Sequence, residues 1–117
     1  MSPPDSVQKH LIDIETILAE IGDFGRGRTL DDFLTDRALQ RVFERDFEIL
    51  GEAMNRLLRA APEFETRISH ARRIIGLRNI LSHGYDSVDY RILWTASVDH
   101  LPLLKTEIGL LIRALRR

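Results

Sequence analysis

The sequence contains no cysteine, which excludes a disulfide-stapled scaffold and any zinc centre built on thiolates. No apolar run approaches the roughly 18 residues that span a bilayer. The opening stretch MSPPDSVQKH lacks the basic-then-apolar order of a secretory signal. A reduced, cytoplasmic setting without a membrane partner is therefore the expectation. No segment alternates with period two for long enough to argue for strands, and no internal repeat or low-complexity tract is visible. Nor does one charge dominate: 17 Lys plus Arg stand against 18 Asp plus Glu, a net charge of -1. That balance excludes a uniformly basic nucleic-acid coat.

What is present is enough for one domain over residues 1–117: 44% of the residues are hydrophobic and 30% charged, so a core can be buried beneath a soluble surface. The charge is unevenly divided. Residues 1–66 carry 8 basic and 14 acidic side chains, and residues 67–117 carry 9 and 4. A localised basic face in the second half is compatible with that division, and so is a dipolar surface without consequence.

Helical periodicity runs through the chain. Val7, Leu11, Ile14, Leu18 and Ile21 form one stripe, with Asp5 and Gln8 at capping-box spacing and Gly22 as the expected stop. The glycine- and arginine-containing segment up to Thr29 reads as a loop. A longer stripe follows in Leu39, Phe43, Phe47, Leu50, Met54 and Leu57, with a cap near 35–36 and a short helical turn opened by Thr29. It ends before Pro62, and a short turn through Phe64 leads on. A third helix is expected from about Ser69 through Ile74, Leu77 and Leu81, stopping at Gly84. Asp86, Ser87 and Asp89 are all available as caps for the last region, which starts near Tyr90 and carries Ile92, Leu93, Trp94, Val98, Leu101, Leu104, Ile108, Leu111 and Leu115. Pro102 inside it predicts a kink or a fresh first turn capped by Asp99. The economical architecture is all-α: an up-down four-helix bundle with room for one short extra helix.

Chemistry concentrates in Arg78-Asn79-Ile80-Leu81-Ser82-His83-Gly84-Tyr85. Asn79 and His83 are four apart and share a face, where the amide can fix the tautomer of the imidazole. Arg78 and His83 are five apart, about 140° around an ideal helix. They meet at one ligand only if His83 lies at a frayed end or if two chains share the site. A histidine in a last turn before glycine is equally what macrodipole and C-cap stabilisation produce. His10, His70 and His100 belong to no such cluster and read as surface residues.

The pattern R-N-x-x-x-H-G-Y, then D-x-V-D and I-x-W, resembles the HepT-like branch of the HEPN superfamily, whose hallmark R-x4-H-x-Y is Arg78, His83 and Tyr85 here. FEILGEAMNRL (47–57) is similar to that family's second long helix and RRIIGLRNILSHGY (72–85) to its third. One departure stands before Arg72 and Arg73, where the family often has Pro-Trp and this chain has His70-Ala71.

The resemblance implies a homodimeric, metal-independent endoribonuclease, the toxin of a type II toxin–antitoxin pair, with a minimal nucleotidyltransferase as antitoxin. The antitoxin would transfer AMP to Tyr85. No cofactor or metal is implied. In that reading His83 supplies proton transfer and Arg78 holds phosphate. Asn79 supports the imidazole, and a composite cleft on the dimer axis yields a 2′,3′-cyclic phosphate. Arg67, Arg72, Arg73 and Arg91 flank the motif as candidates for RNA phosphate contacts, or as a solvated helix face. Two other readings stay open: a non-catalytic nucleotide- or RNA-binding partner of a nucleotidyltransferase, and a plain structural bundle.

Overall fold

In the computed structural model, which describes residues 4–83 and 88–116 and only the backbone at 4, 5 and 83, the apolar stripes become the inner faces of helices. Four are long: α1 (Pro4–Gly25), α3 (Arg37–Ala60), α4 (Ala71–His83) and α6 (Leu101–Leu115). Two short ones, α2 (Leu30–Thr35) and α5 (Tyr90–Thr95), accompany them, with a 3-10 turn at Pro62–Thr66 and a π-helical turn at Ala96–His100. The described residues contain no strand, and none of their helices is long and apolar enough to cross a membrane. The fold is all-α.

Caps written in the sequence set several boundaries. Thr29 accepts from the Asp32 amide while Asp32 accepts from the Thr29 amide, a reciprocal box that opens α2. Asp36 accepts from the Leu39 amide at 3.0 Å and opens α3, and this bond holds the Asp36 carboxyl below its usual range. Asp89 does the same for α5 through the Arg91 amide.

Other boundaries differ from expectation. Helix α1 runs through Gly22 to Gly25, and the chain turns at Gly27, whose φ of 74° is left-handed. Gly22 does not take the left-handed conformation that ends a helix, and Gly25 packs on the aromatic core, where a Cβ would lie 3.3 Å from the Phe43 ring. Helix α4 begins at Ala71 rather than Ser69, since His70 adopts φ 64° just before it. The caps assigned to Asp5, Asp86 and Ser87 and the stop at Gly84 fall outside the described residues or side chains.

Helix α3 is central, packed on α1 along one side and α4 along the other, and α6 covers α1. The stripes of α1 and α3 are buried throughout, including Phe43, Phe47 and Met54. Each such side chain is worth about 1.5–3 kcal/mol of burial. Short α2 contributes Phe33, fully buried 4.8 Å from the Phe43 ring and 5.4 Å from Trp94. Buried Gln40 donates to the Phe33 and Leu34 carbonyls, satisfying the end of α2.

The last stripe required correction. Leu93, Ala96, Leu101, Leu104, Ile108 and Leu111 are buried, but Ile92, Val98 and Leu115 are exposed. The π turn adds a residue between Ala96 and Leu101, whose amide donates to the Ala96 carbonyl, and the inner face changes phase. Pro102, which has no N–H to give, sits in the first turn of α6; no side-chain bond from Asp99 caps that helix.

One polar residue breaks the dry interior between α1 and α3. Asp46 is buried with Oδ2 unpartnered among the described residues. Burial, and then the neighbouring Glu20 carboxyl, push its pKa up to about 7.

Candidate active site

The side of α4 that carries Arg78 lies very close to α3, and the reason is Gly51. A Cβ at Gly51 would collide with Cβ of Arg78 and stand 3.1 Å from the Ile74 carbonyl oxygen, so only glycine admits this approach. The close crossing lets carboxylates of α3 reach α4. Arg78 donates through Nη2 to Oε2 of Glu52 at 2.7 Å and through Nη1 to Oδ1 of Asn79 at 3.0 Å. One turn further, Ser82 donates to Glu48 at 3.2 Å. Tyr90, opening α5, donates to Glu44 at 2.8 Å, a bond that pushes its phenol pKa up. Helix α3 thus presents a row of acids that fixes polar groups arriving from the second half of the chain.

Arg78 is half-buried, and Glu52 is itself approached by Nε of Arg56 at 3.4 Å. A guanidinium has five N–H groups, and two of them are committed among the described residues. These residues line a groove of about 590 Å³ between α1, α3 and α4, with Arg45, Arg56 and Thr16 at its edges. Backbone helix extends through residue 83. The imidazole of His83 and all of Gly84 and Tyr85 lie outside the described atoms. What is observed for Asn79 is that its amide oxygen is given to Arg78.

The four flanking arginines part company. Arg72 is paired with exposed Glu65 at 2.6 Å. This bond holds the Glu65 carboxyl below its usual range and raises the Arg72 pKa. Arg67 is exposed. Arg73 and Arg91 converge on a separate pocket between α4 and α5, together with His100. His70 is exposed as expected and His100 half-buried, but the two are not isolated: their ring centres pack 4.5 Å apart, and Nη1 of Arg73 lies 3.4 Å from Nε2 of His100. They are 30 residues apart and had no local signal.

Sequence reasoning also missed Glu52, Glu48 and Gly51. Their trace was the Gly51-Glu52 pair inside an otherwise helix-favouring stripe, where an interior glycine costs stability unless a neighbour needs the space. Among the described residues no three His, Asp or Glu side chains gather as metal ligands would.

Comparisons with known proteins agree on a family. The family described as Ribonuclease HepT-like matches residues 14–110. A Thermococcus cleftensis protein named "Probable ribonuclease HepT" is 34% identical over 104 residues, 86% of this chain and 90% of the relative. A Caldanaerobacter subterraneus protein named as a "Putative RNase" is 34% identical over 83 residues, 71% of this chain and 73% of the relative. A Methanocaldococcus jannaschii protein named in the same way is 26% identical over 113 residues, 97% of each chain. No solved structure matches.

Proposed function

The chain belongs to the HepT-like ribonuclease family, and from that premise we propose that it is a metal-independent endoribonuclease whose reacting groups are Arg78 and His83. The observation that carries the reading is the fixing of Arg78: a guanidinium oriented by Glu52 and Asn79 is a preformed phosphate clamp. Cleavage without metal needs a base to take the ribose 2′-OH proton while the 2′-oxygen bonds to phosphorus. It also needs an acid to protonate the departing 5′-oxygen as the P–O5′ bond breaks. The product is a 2′,3′-cyclic phosphate. Imidazole, with an ordinary pKa near 6.5, suits either role near neutrality.

One chain offers one such histidine, and the reading assigns the second to a partner copy. Helical backbone through residue 83 supports this, because it keeps positions 78 and 83 about 140° apart. The outer face of α4 is suited to a second copy: Ile80 is 50% exposed there, and Gly76 has nothing within 4 Å of the place its Cβ would take. A two-fold pairing along that face, which positions 76, 80 and 83 share by helical period, would set the two copies of position 83 beside each other, with each Arg78 on the flank toward α3.

The same reading makes the chain the toxin of a type II toxin–antitoxin pair, silenced when a cognate minimal nucleotidyltransferase places AMP on Tyr85. The adduct adds bulk and negative charge beside the phosphate clamp and repels an RNA backbone. Purified chain is expected to cleave RNA in excess chelator and to leave cyclic phosphate ends. His83→Ala and Arg78→Ala are expected to abolish cleavage. Equal inactivity of wild type and His83→Ala would overturn the enzyme and favour a binding subunit of the nucleotidyltransferase. Co-expression with that enzyme should raise the intact mass by AMP units, and a shift surviving Tyr85→Phe would refute the acceptor assignment.

A further inference from the structure

The pocket between α4 and α5 lies on the other flank of α4 from the Arg78–Glu52 pair and has a different character. It measures about 370 Å³, and none of its lining residues is a carboxylate. Its floor is aliphatic, from Leu77, Ile92 and Ala96, and its rim carries Arg73, Arg91 and His100. Ile92 is 54% exposed, an apolar surface left uncovered beside two cations. Among the described residues neither Arg73 nor Arg91 has a carboxylate within 4.0 Å, in contrast to Arg72 and Arg78.

The rim is built rather than incidental. Oγ of Ser69 donates to the Glu107 carboxylate at 2.9 Å and its amide donates at 3.1 Å, tying the start of α4 to α6. The next residue, His70, is the one non-glycine among the described residues with positive φ, at 64°. Its ring is held against His100, which stands beside Arg73. Left-handed backbone at a side-chain-bearing residue costs energy and concentrates where a particular arrangement is needed.

We propose that this pocket binds one phosphorylated nucleoside unit, with the phosphate between Arg73, Arg91 and His100 and the base or sugar on the aliphatic floor. A bare inorganic anion would leave the floor unused, and an apolar side chain would leave two guanidinium groups uncompensated; a nucleotide satisfies both. Guanidinium and imidazole planes also stack on bases. Positions 73 and 83 lie ten residues apart, about 15 Å along α4, so the unit bound here is distinct from the one cleaved. The nucleotide can come from the RNA strand, which rests on the ribonuclease reading, or from a free nucleotide, which does not.

Binding to the full chain is measured with a fluorescent eight-nucleotide 2′-O-methyl oligoribonucleotide, which lacks the attacking hydroxyl and cannot be cleaved, so the result stands apart from catalysis. Unlabelled AMP is the competitor. The double variant Arg73→Gln, Arg91→Gln is expected to weaken binding at least tenfold. It should also flatten the salt dependence, by roughly 0.7 in log–log slope for each phosphate left without its cation. Thr95→Trp, which fills the pocket without changing charge, is expected to weaken binding comparably while unfolding as wild type does. Displacement of the probe by AMP identifies free nucleotide as an occupant; tight probe binding without displacement identifies the strand. Affinity unchanged in both variants, or no binding of either probe by the wild type, overturns the proposal. A change of molar mass in the variants without loss of nucleotide binding also overturns it, by making the pocket an interface between copies.

Discussion

The two flanks of α4 use the same residue type in opposite ways. Toward α3, Arg78 meets a carboxylate at 2.7 Å and is held in place. Toward α5, Arg73 and Arg91 meet none among the described residues and surround an aliphatic hollow. The difference lies in what each helix brings to the other side. Helix α3 carries Glu44, Glu48 and Glu52 as acceptors for Tyr90, Ser82 and Arg78. The lining that α5 and the π turn give the pocket has no acid. A compensated arginine is a positioned tool, and an uncompensated one is a binding surface. Net charge by segment does not distinguish them.

The contrast between the flanks breaks first on the oriented side. Arg78→Lys retains the charge but loses the planar fork, and cleavage is expected to fall about 10²–10³-fold, measured as kcat/KM on an RNA substrate. Gly51→Val should drive α3 from α4 by collision with Arg78 and the Ile74 carbonyl. Overpacking of this kind costs about 1–3 kcal/mol, more than the roughly 1 kcal/mol an exposed interior glycine forfeits; the denaturation midpoint should drop.

Asp46 tests the opposite side of α3, toward α1, where an acid is buried without a cation partner among the described residues. Its folded pKa of about 7 stands above the unfolded value near 3.8, so the folded chain holds the proton more tightly. Stability is therefore complete below about pH 4 and is lost as pH rises through about 7, on the order of 2 kcal/mol after allowance for Glu20. Asp46→Asn should flatten that slope in denaturation curves taken from pH 4 to 8.

Glu52→Gln sharpens the contrast by releasing Arg78. The pair is about one-third exposed on each side, 33% and 36%, so stability should change by less than about 1 kcal/mol. The kcat for RNA cleavage should fall about tenfold with KM nearly constant, a split that general loosening of the fold would not give. The smallest effect is expected at Arg72. Its bond to Glu65 is exposed and already answers its charge, so Arg72→Gln should change oligonucleotide affinity by less than about twofold.

Most of the scaffold was legible in the sequence. The stripes of α1, α3 and α4 went to the core because helical period and burial are set within a turn or two, as were the caps at Thr29, Asp36 and Asp89. Where reading failed, backbone geometry or a remote contact had decided. Helix α1 outran Gly22 because the left-handed turn comes only at Gly27, and Val98 stayed outside because the π turn before Pro102 shifted phase. At the site, Arg78 was visible as a candidate, but its partner Glu52 lies 26 residues away. The His70–His100 contact joins positions equally invisible to each other in the chain.

Residue order by itself determined where the helices lie, which faces they hide and which segment carries the arginine, histidine and tyrosine of the family motif. All of these depend on spacing within a few residues. Local pairs such as Lys9–Asp13 follow from spacing as well, but tertiary packing alone decided that Arg78 meets a carboxylate and that Arg73, among the described residues, meets none. An ion pair requires two side chains within about 4 Å, and only the crossing of α3 and α4 at Gly51 brings Glu52 to Arg78, while no carboxylate among the described residues is brought to Arg73.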